Sequence, residues 1–383
     1  MPLAKEHFYI PCLDGIRALA VLLVIVAHSG FEKFVPGGLG VTVFFFLSGF
    51  LITTLLRMEN ARAGTISIRD FYLRRIFRIQ PPMYVTIVII CLLAWLHVLD
   101  GPLKWKPIAL TCLFFTNYIG IWGFGMPPEG LQNLWSLAVE EHFYLVFPLL
   151  YLVFITAKLK KRWQGLALAS LCLLVLLWRI YLIYFEHKAT GVFGRVYSYT
   201  DTRIDSILFG CLMAIVFNPL FDDAPESLRG NAGKLALLGF GLLGFSIFYR
   251  DELFRDTFRY SLQGIALLLI FFFVVEAPGR AQVRWLENPV LRYIGRRSYV
   301  LYLIHYAVAV ELFLRLHWSA TATLFATLGI SLVYAEAMDH LIEAPMRTLK
   351  RRAMRTSFHT QVITPEDDAA RREELPEPSP RTA

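Results

Sequence analysis

The sequence predicts an all-α protein that crosses a membrane about ten times and has one additional re-entrant or interfacial segment. Three observations support this fold class. The chain of 383 residues is 56% hydrophobic and only 18% charged, whereas a soluble domain carries about 25% charged residues. Apolar runs of roughly 20 residues, the length needed to cross a bilayer, recur along the chain. Lys and Arg gather in short clusters between these runs, as they do at the cytoplasmic ends of membrane spans.

Eleven apolar segments are candidates for membrane spans. They lie at 14–31, 38–56, 81–99, 107–123, 133–156, 163–185, 201–217, 234–249, 259–276, 298–316 and 320–343. The basic clusters decide which of them cross, because Lys and Arg stay on the cytoplasmic side. These clusters lie at 57–78, 158–162, 280–297 and 347–355. With all of them in the cytoplasm, an even number of segments must cross between the first cluster and the second.

Three candidates lie between those two clusters, so one of them does not cross. We expect the exception to be 107–123, since Asn117 and the nearby glycines indicate irregular backbone, which is tolerated at membrane depth only where it lines a protein cavity. Ten spans remain, and both termini are cytoplasmic. We therefore predict a membrane domain over 1–349 and a charged, disordered cytoplasmic tail over 350–383.

Several function classes receive no support. The net charge of +8 does not indicate nucleic-acid binding, because the basic residues alternate with apolar spans. The motif Gly239-Phe-Gly241-Leu-Leu-Gly244 lies inside an apolar segment, so it predicts close helix packing rather than dinucleotide binding. The sequence has no Gly-x-Ser-x-Gly, His-Glu-x-x-His or P-loop motif, which argues against a serine hydrolase or a metalloprotease. We expect no metal.

The first span carries two polar residues, Arg17 and His28. Their spacing of eleven residues is close to three turns of an α-helix, so both should lie on one face. Ionisable groups at membrane depth are costly and usually mark function. The structural alternative is that His28 only bonds to a neighbouring helix.

The segment 68–82 carries a second basic group that includes Arg75 and Arg78. Its apolar residues can bury while its arginines face water, which is typical of an amphipathic helix lying on anionic lipid. The alternative is a phosphate site, because guanidinium groups bind phosphate through paired hydrogen bonds. The segment alone favours lipid.

Three other spans contain polar groups. Glu140 and Glu141, near Ser136 and Tyr144, open one span, and adjacent carboxylates there are costly unless they are paired or hydrated. The polar residues of the other two spans can bind substrate. They can instead have a structural role, such as an internal salt bridge or a bond to a neighbouring helix. These are Asp201, Arg203 and Asp205 at the start of 201–217, and His305 on 298–316.

At these residues the chain resembles the bacterial acyltransferase 3 family of multi-span O-acyltransferases. The matching stretches are LDGIRALAVLLVIVAH at 13–28, GVTVFFFLSGFLIT at 40–53, FYLRRIFRIQPPMY at 71–84, NLWSLAVEEHFYLVFP at 133–148, DTRIDSILFG at 201–210 and RSYVLYLIH at 297–305. The family's Arg-x10-His motif falls on Arg17 and His28, and its Arg-x-x-Arg motif falls on Arg75 and Arg78.

The resemblance implies transfer of an acetyl or other short acyl group from acyl-CoA, most often acetyl-CoA, to a hydroxyl. Acceptors in the family are sugars of surface polysaccharides or lipopolysaccharides, Nod factors and glycosylated antibiotics. Some members carry a C-terminal extracytoplasmic esterase-like domain, which we do not expect within these 383 residues. The expected location is the bacterial inner membrane, and the expected partners are membrane lipid, acyl-CoA and a glycan or glycolipid.

On this basis Arg17, Arg75 and Arg78 are expected to bind the acyl-CoA phosphates at the cytoplasmic face. His28 is expected to act as general base, either in direct transfer or through an acyl-histidine. Glu140 or Glu141 is expected to orient it, as a carboxylate does in hydrolytic triads. The main rival function is a transporter, to which ten spans and a broken segment are also suited. A membrane scaffold is a third class, but it does not explain why Arg17 and His28 lie on one face of the first span.

Overall fold

The computed structural model of the chain describes residues 9–186, 194–218, 221–222, 225–276 and 281–354. It is 84% helical, and the part of the chain that it describes has no strand. In chain order the α-helices are α1 (Pro11–Val26), α2 (Gly37–Ala63), α3 (Ile68–Trp95), α4 (Trp105–Cys112), α5 (Trp135–Thr156), α6 (Lys161–Tyr184), α7 (Arg195–Ser198), α8 (Thr200–Val216), α9 (Glu226–Gly230), α10 (Ala232–Phe248), α11 (Glu252–Asp256), α12 (Arg259–Glu276), α13 (Ala281–Arg284), α14 (Pro289–Arg296), α15 (Ser298–Val310), α16 (Ala320–Met338) and α17 (Ala344–Met354).

Ten of these helices occupy the ten predicted spans, which confirms the fold class. Within the described ranges, eight helical stretches are long and apolar enough to cross a bilayer. The other two spans are filled by α8 and α10, each 17 residues long. The first two turns of α8 contain three charged residues, Asp201, Arg203 and Asp205, which lower the hydropathy of an otherwise apolar helix. This chain is therefore a multi-pass α-helical membrane protein.

The segment 107–123 forms no spanning helix. It contains most of α4, which has eight residues, and a 3-10 helix, Thr116–Trp122. Between them Phe114 adopts a positive φ of 63°. The Asn117 amide donates to the Thr200 hydroxyl at 2.9 Å, so the broken segment is attached to the start of α8. A second 3-10 helix, Glu129–Leu134, leads into α5.

The basic segment 68–82 is not a separate surface helix, which differs from the lipid-bound arrangement favoured by the sequence. It forms the first half of α3, which begins after the Ser67 cap and continues through Pro81 and Pro82 to Trp95. Pro81 and Pro82 have no backbone N–H to donate to the carbonyls four residues earlier, those of Phe77 and Arg78, and such a loss is tolerated within membrane helices. Arg75 and Arg78 are therefore held on a rigid helix.

Glycines allow the central helices to approach closely. A Cβ at Gly49 of α2 would lie 1.9 Å from the Ile207 carbonyl oxygen of α8, and one at Gly210 would lie 2.0 Å from the Phe46 carbonyl oxygen. The two helices thus meet with backbone against backbone, as small residues permit in membrane proteins. Gly239 packs in the same way against α12, whereas Gly241 and Gly244 face open space. Close packing therefore accounts for only one glycine of the Gly-x-Gly-x-x-Gly motif.

The end of the chain continues as a helix past the predicted domain boundary at 349. Helix α17 extends to Met354, and it follows α16 through a π-helical turn, Asp339–Glu343. The rest of the predicted tail, 355–383, lies outside the described residues.

Candidate functional site

The site centres on two histidines from different helices. The Nδ1 atom of His28 lies 3.0 Å from Nε2 of His305, which is on α15. The two rings are nearly parallel, with centroids 5.2 Å apart, and the edge of the Tyr306 ring lies against His28. His305 has no exposed surface. Two residues that the sequence placed in separate groups are thus brought together.

A local break in helix geometry places His28. Residues Ala27–Phe31 form a π-helical turn at the end of α1, and such turns are frequent at functional sites. Gly30 has a φ of +100°, and a Cβ there would lie 2.4 Å from the Phe313 ring. Only glycine is suited to that conformation and that contact. Gly30 therefore allows the chain to turn directly after His28.

A hydrogen-bonded group links the histidines to the start of α5. The Tyr302 carbonyl accepts from His305 Nδ1 at 2.8 Å and from the Asn133 amide at 2.8 Å. The Tyr302 hydroxyl lies 2.7 Å from that of Ser136 and donates to the Asn133 carbonyl at 3.0 Å. Ser136, a predicted site residue, therefore contacts the residue that holds His305.

A cavity leads to this group from the side of the basic residues. The cavity has a volume of about 210 Å³. Its lining combines arginines and polar side chains, among them Ser136 and Tyr302, with many apolar side chains. The arginines are Arg17, Arg75, Arg78 and Arg296. Such a cavity suits an elongated ligand with an anionic head.

The three predicted phosphate-binding arginines lie together at this cavity, with Arg296 as a fourth. Arg75 is partly buried, its guanidinium carbon is 5.6 Å from the centre of the Tyr144 ring, and its Nε has no hydrogen-bond partner among the described residues. A guanidinium inside the protein does not serve as a lipid anchor. This placement favours the phosphate interpretation of Arg75 over the lipid interpretation.

Arg17 is held by a chain of polar contacts at the cavity. Its Nη1 donates to Asp14 at 3.1 Å, and Asp14 also accepts from the Tyr9 hydroxyl at 2.8 Å. Arg292 in turn donates to Tyr9 at 3.2 Å. Burial raises the pKa of Tyr9, and the Asp14 carboxylate raises it further, so the Tyr9 hydroxyl keeps its proton at neutral pH. These contacts hold the Arg17 side chain in place. Asp14, its direct partner, was not predicted from the sequence as a site residue.

Glu140 belongs to the cavity rather than to the histidines. Its carboxylate accepts from Ser48 at 3.0 Å and from Tyr144 at 3.1 Å. Glu140 was expected to orient His28, but its carboxylate bonds to Ser48 and Tyr144 instead. The reason is its position, because α5 begins at Trp135 and Glu140 lies in its second turn. Asn133, in the 3-10 helix before α5, and Ser136, in the first turn of α5, reach the level of the histidines instead. Glu141 follows Glu140 and is partly buried.

The polar group at the start of α8 does not form an internal salt bridge. Asp205 pairs with Arg179 of α6, with Nη2 to Oδ2 at 2.7 Å and both side chains fully buried. Asp201 pairs with Arg195 and accepts from Trp178 at 2.7 Å. These carboxylates thus connect α8 to neighbouring elements, which is a structural role.

Arg203 is fully buried between aromatic rings. Its guanidinium carbon lies 3.6 Å from the centre of the Tyr260 ring and 5.6 Å from that of Tyr197. Its Nη2 donates to Thr42 at 3.1 Å, while Nε and Nη1 have no hydrogen-bond partner among the described residues. Cation–π contacts therefore replace the expected ion pair.

Sequence reasoning missed four residues of this region. Arg179 was detectable as a lone charge within an apolar segment, and Arg296 was counted only as an orienting charge. Ser48 and Asn133 are uncharged residues in spans, so neither composition nor spacing distinguishes them from ordinary helix contacts.

Comparison with known proteins identifies the family. The profile of the acyltransferase domain family, acyltransferase 3, matches residues 10–336. A protein of Staphylococcus aureus strain COL, named as a predicted O-acetyltransferase, is 32% identical over 94% of this chain and 61% of its own length. A Bacillus subtilis protein, named as a predicted peptidoglycan O-acetyltransferase, is 33% identical over 90% of this chain and 56% of its own.

The O-acetyltransferase OatA of Staphylococcus aureus strain NCTC 8325 is 32% identical over 79% of this chain and 51% of its own length. The chain thus spans about half to three fifths of the relatives that it matches. No solved structure is detectably similar to it. The histidine pair, the arginine-lined cavity and the match over nearly all of the membrane domain agree: this chain belongs to the acyltransferase 3 family.

Proposed function

We propose that the chain is a membrane O-acetyltransferase that moves an acetyl or other short acyl group from acyl-CoA to a sugar hydroxyl, with His28 as general base. One observation carries the proposal. The cavity lined by the arginines is also lined by Tyr302, whose carbonyl accepts from His305, and His305 is hydrogen-bonded to His28. An anion site and a proton acceptor are thus connected through the interior of the protein.

The donor enters from the arginine end. Arg75 and Arg78 lie in the basic cluster 57–78, which by the distribution of positive charge is cytoplasmic, and acyl-CoA is a cytoplasmic metabolite with several phosphates. Guanidinium groups bind the phosphates, and the thioester arm extends along the apolar walls. Tyr302 lines the cavity and is hydrogen-bonded to His305, so the acyl end must pass Tyr302 to reach His28.

The chemical step is an acyl transfer in which one nitrogen of His28 takes up a proton and then returns it. The acceptor hydroxyl gives its proton to His28 as its oxygen forms a bond to the thioester carbonyl carbon. The carbon–sulfur bond then breaks with its electron pair on sulfur, and the imidazolium returns the proton to give the free thiol of coenzyme A. A positioned base of this kind contributes about 10²–10⁴-fold to rate.

The acceptor lies on the outer side of the membrane. With the basic clusters in the cytoplasm, α5 runs from outside to inside, so its first residues lie in the outer half. Ser136 is one of these residues and Asn133 immediately precedes the helix, and both contact Tyr302 beside the histidine pair. His28 is therefore closer to the outer surface than the arginines are, with both termini in the cytoplasm.

The names of the relatives favour a cell-wall acceptor. The Bacillus subtilis relative is named for peptidoglycan, and a hydrophilic polymer outside the plasma membrane is consistent with the outer position of His28. We infer that the acceptor is a sugar hydroxyl of a cell-surface polysaccharide and that membrane lipid surrounds the ten helices.

Purified protein in detergent with labelled acetyl-CoA tests the activity. We expect release of free coenzyme A and labelling of an added soluble glycan in the absence of any membrane gradient. If the purified protein released no coenzyme A and labelled no glycan, the proposal would be contradicted, and solute uptake by the same protein in sealed vesicles would support a transporter.

Sealed vesicles test the side of the acceptor. With acetyl-CoA supplied at the cytoplasmic face, a membrane-impermeant glycan should be acetylated only when it is added at the opposite face. Acetylation only of glycan added with the acetyl-CoA would contradict the outer location and point to a soluble glycosylated metabolite.

A further inference from the structure

The contacts of His305 fix the direction of its two hydrogen bonds. Its Nδ1 lies 2.8 Å from the Tyr302 carbonyl oxygen, and a carbonyl oxygen accepts but never donates. His305 Nδ1 therefore carries a hydrogen. The same carbonyl accepts from the Asn133 amide at 2.8 Å, so the oxygen that holds His305 is itself held by the start of α5.

The other nitrogen of His305 is an acceptor. His305 is 0% exposed, and its contacts are with His28, the backbone of Leu301 and Tyr302, and the rings of Tyr302 and Tyr306. These contacts include no carboxylate, and a buried cation without an anionic partner is strongly disfavoured. His305 is therefore neutral, and its Nε2 has a lone pair directed at His28 Nδ1, 3.0 Å away.

We propose that His305 is a positioning residue for His28: His305 Nε2 accepts the Nδ1 hydrogen of His28 and so leaves His28 Nε2 as the unprotonated nitrogen that receives the acceptor's proton. This inference rests on the proposed function, in which His28 is the base. In a hydrolytic triad a carboxylate accepts the Nδ1 hydrogen of the catalytic histidine. Here His305, held by the Tyr302 carbonyl, accepts that hydrogen instead.

The proton balance is complete within this arrangement. The acceptor's proton goes to His28 Nε2, while the Nδ1 hydrogen stays on His28 and continues to donate to His305. The imidazolium then gives the Nε2 proton to the sulfur that leaves the thioester. The Tyr306 ring meets His28 edge to face, with centroids 4.9 Å apart, which restricts rotation of the imidazole during the cycle.

Two substitutions separate positioning from packing. In His305→Gln the amide oxygen can accept from His28 and the amide nitrogen can donate to Tyr302, whereas His305→Leu has neither ability at similar volume. We expect His305→Leu to lower kcat by at least roughly tenfold with KM for acetyl-CoA unchanged, part of the 10²–10⁴-fold supplied by the base. His305→Gln should recover most of the rate. Equal loss in both variants, or full activity of His305→Leu, would overturn the inference.

A spectroscopic measurement tests the same contact without activity. The chain has nine histidines, and in ring-¹⁵N-labelled protein the signals of His28 are those absent from a His28→Ala sample. We expect a protonated Nδ1 and an unprotonated Nε2 for His28 in the wild type, and loss of that pattern in His305→Leu. A protonated Nε2 with an unprotonated Nδ1 in the wild type would contradict the inference.

The two measurements also distinguish this inference from the proposed function. If His28→Ala remained active, His28 would not be the base, yet the nitrogen signals would still report whether His305 fixes its tautomer. If His28→Ala were inactive and the nitrogen pattern were reversed, only the role of His305 would be wrong.

Discussion

Arg179 and Asp205 form a buried ion pair that connects three helices. Their two parallel hydrogen bonds measure 2.9 and 2.7 Å, and neither side chain has any exposed surface. Arg179 also donates to Ser261 of α12 at 2.6 Å and to the Thr202 carbonyl of α8 at 2.7 Å. Each charge is thus satisfied by its partner, and removal of either one leaves the other unpaired inside the bundle.

We predict that Arg179→Met and Asp205→Leu each destabilise the protein by about 3–5 kcal/mol, since an unpaired buried charge remains. The double variant should lose much less than the sum of the two, because no charge is left. The measurement is the thermal midpoint of the purified protein in detergent. Arg255→Met, at an exposed position, is the control and should leave the midpoint unchanged. Additive losses in the double variant would show that the pair is not coupled.

Arg75 and Arg78 should bind acyl-CoA through paired hydrogen bonds that lysine cannot form. We predict that Arg75→Lys or Arg78→Lys raises the Kd for acetyl-CoA on the order of tenfold, because a hydrogen bond to a charged group contributes about 1.5 kcal/mol or more and 1.4 kcal/mol corresponds to tenfold. Isothermal titration of the purified protein measures this change.

Arg69→Lys is the matched control, because Arg69 lies on the same helix but outside the lining of the cavity. It should leave the Kd unchanged. An unchanged Kd in both the Arg75 and Arg78 variants would support a lipid-anchoring role instead.

The topology predicts opposite sides for the two ends of α5 and its flanking segments. Glu129 and Arg162 are both exposed, so a cysteine at either is accessible, whereas a Cβ at Gly130 would lie 2.6 Å from Ala307. In a variant without the five native cysteines, an impermeant thiol reagent added outside intact cells should label Glu129→Cys and not Arg162→Cys. If both cysteines were labelled from outside, the basic clusters 57–78 and 158–162 could not both be cytoplasmic, and the predicted topology would be wrong.

The spans were predictable from sequence because membrane crossing depends on length and composition, which are local properties. Segment 107–123 was identified for the same reason, since Asn117 and its neighbouring glycines do not favour a long helix. The continuous course of α3 was missed because Pro81 and Pro82 usually mark a helix boundary in soluble proteins. Within a membrane helix such a loss of backbone donors is tolerated, because neighbouring groups can satisfy the freed carbonyls.

The contacts of the polar residues were less predictable, because they depend on which helices meet. The pairing of His28 with His305 joins residues 277 positions apart, and no spacing in one helix indicates it. Glu140 was expected near His28 because both lie near the outer ends of their spans. Glu140 lies little more than one turn further along α5 than Ser136, and there it contacts Ser48 instead. The pattern of a single sequence does not define the depth of a residue in the membrane to within one turn.

The most direct test of the account is the activity of His28→Ala in sealed vesicles with acetyl-CoA at the cytoplasmic face and a glycan acceptor at the other. We predict at least a hundredfold loss of acetyl transfer, since a general base contributes about 10²–10⁴-fold, with acetyl-CoA binding retained because the arginines are unchanged. If His28→Ala transferred acetyl groups at more than about a tenth of the wild-type rate, general-base catalysis by His28 would be contradicted.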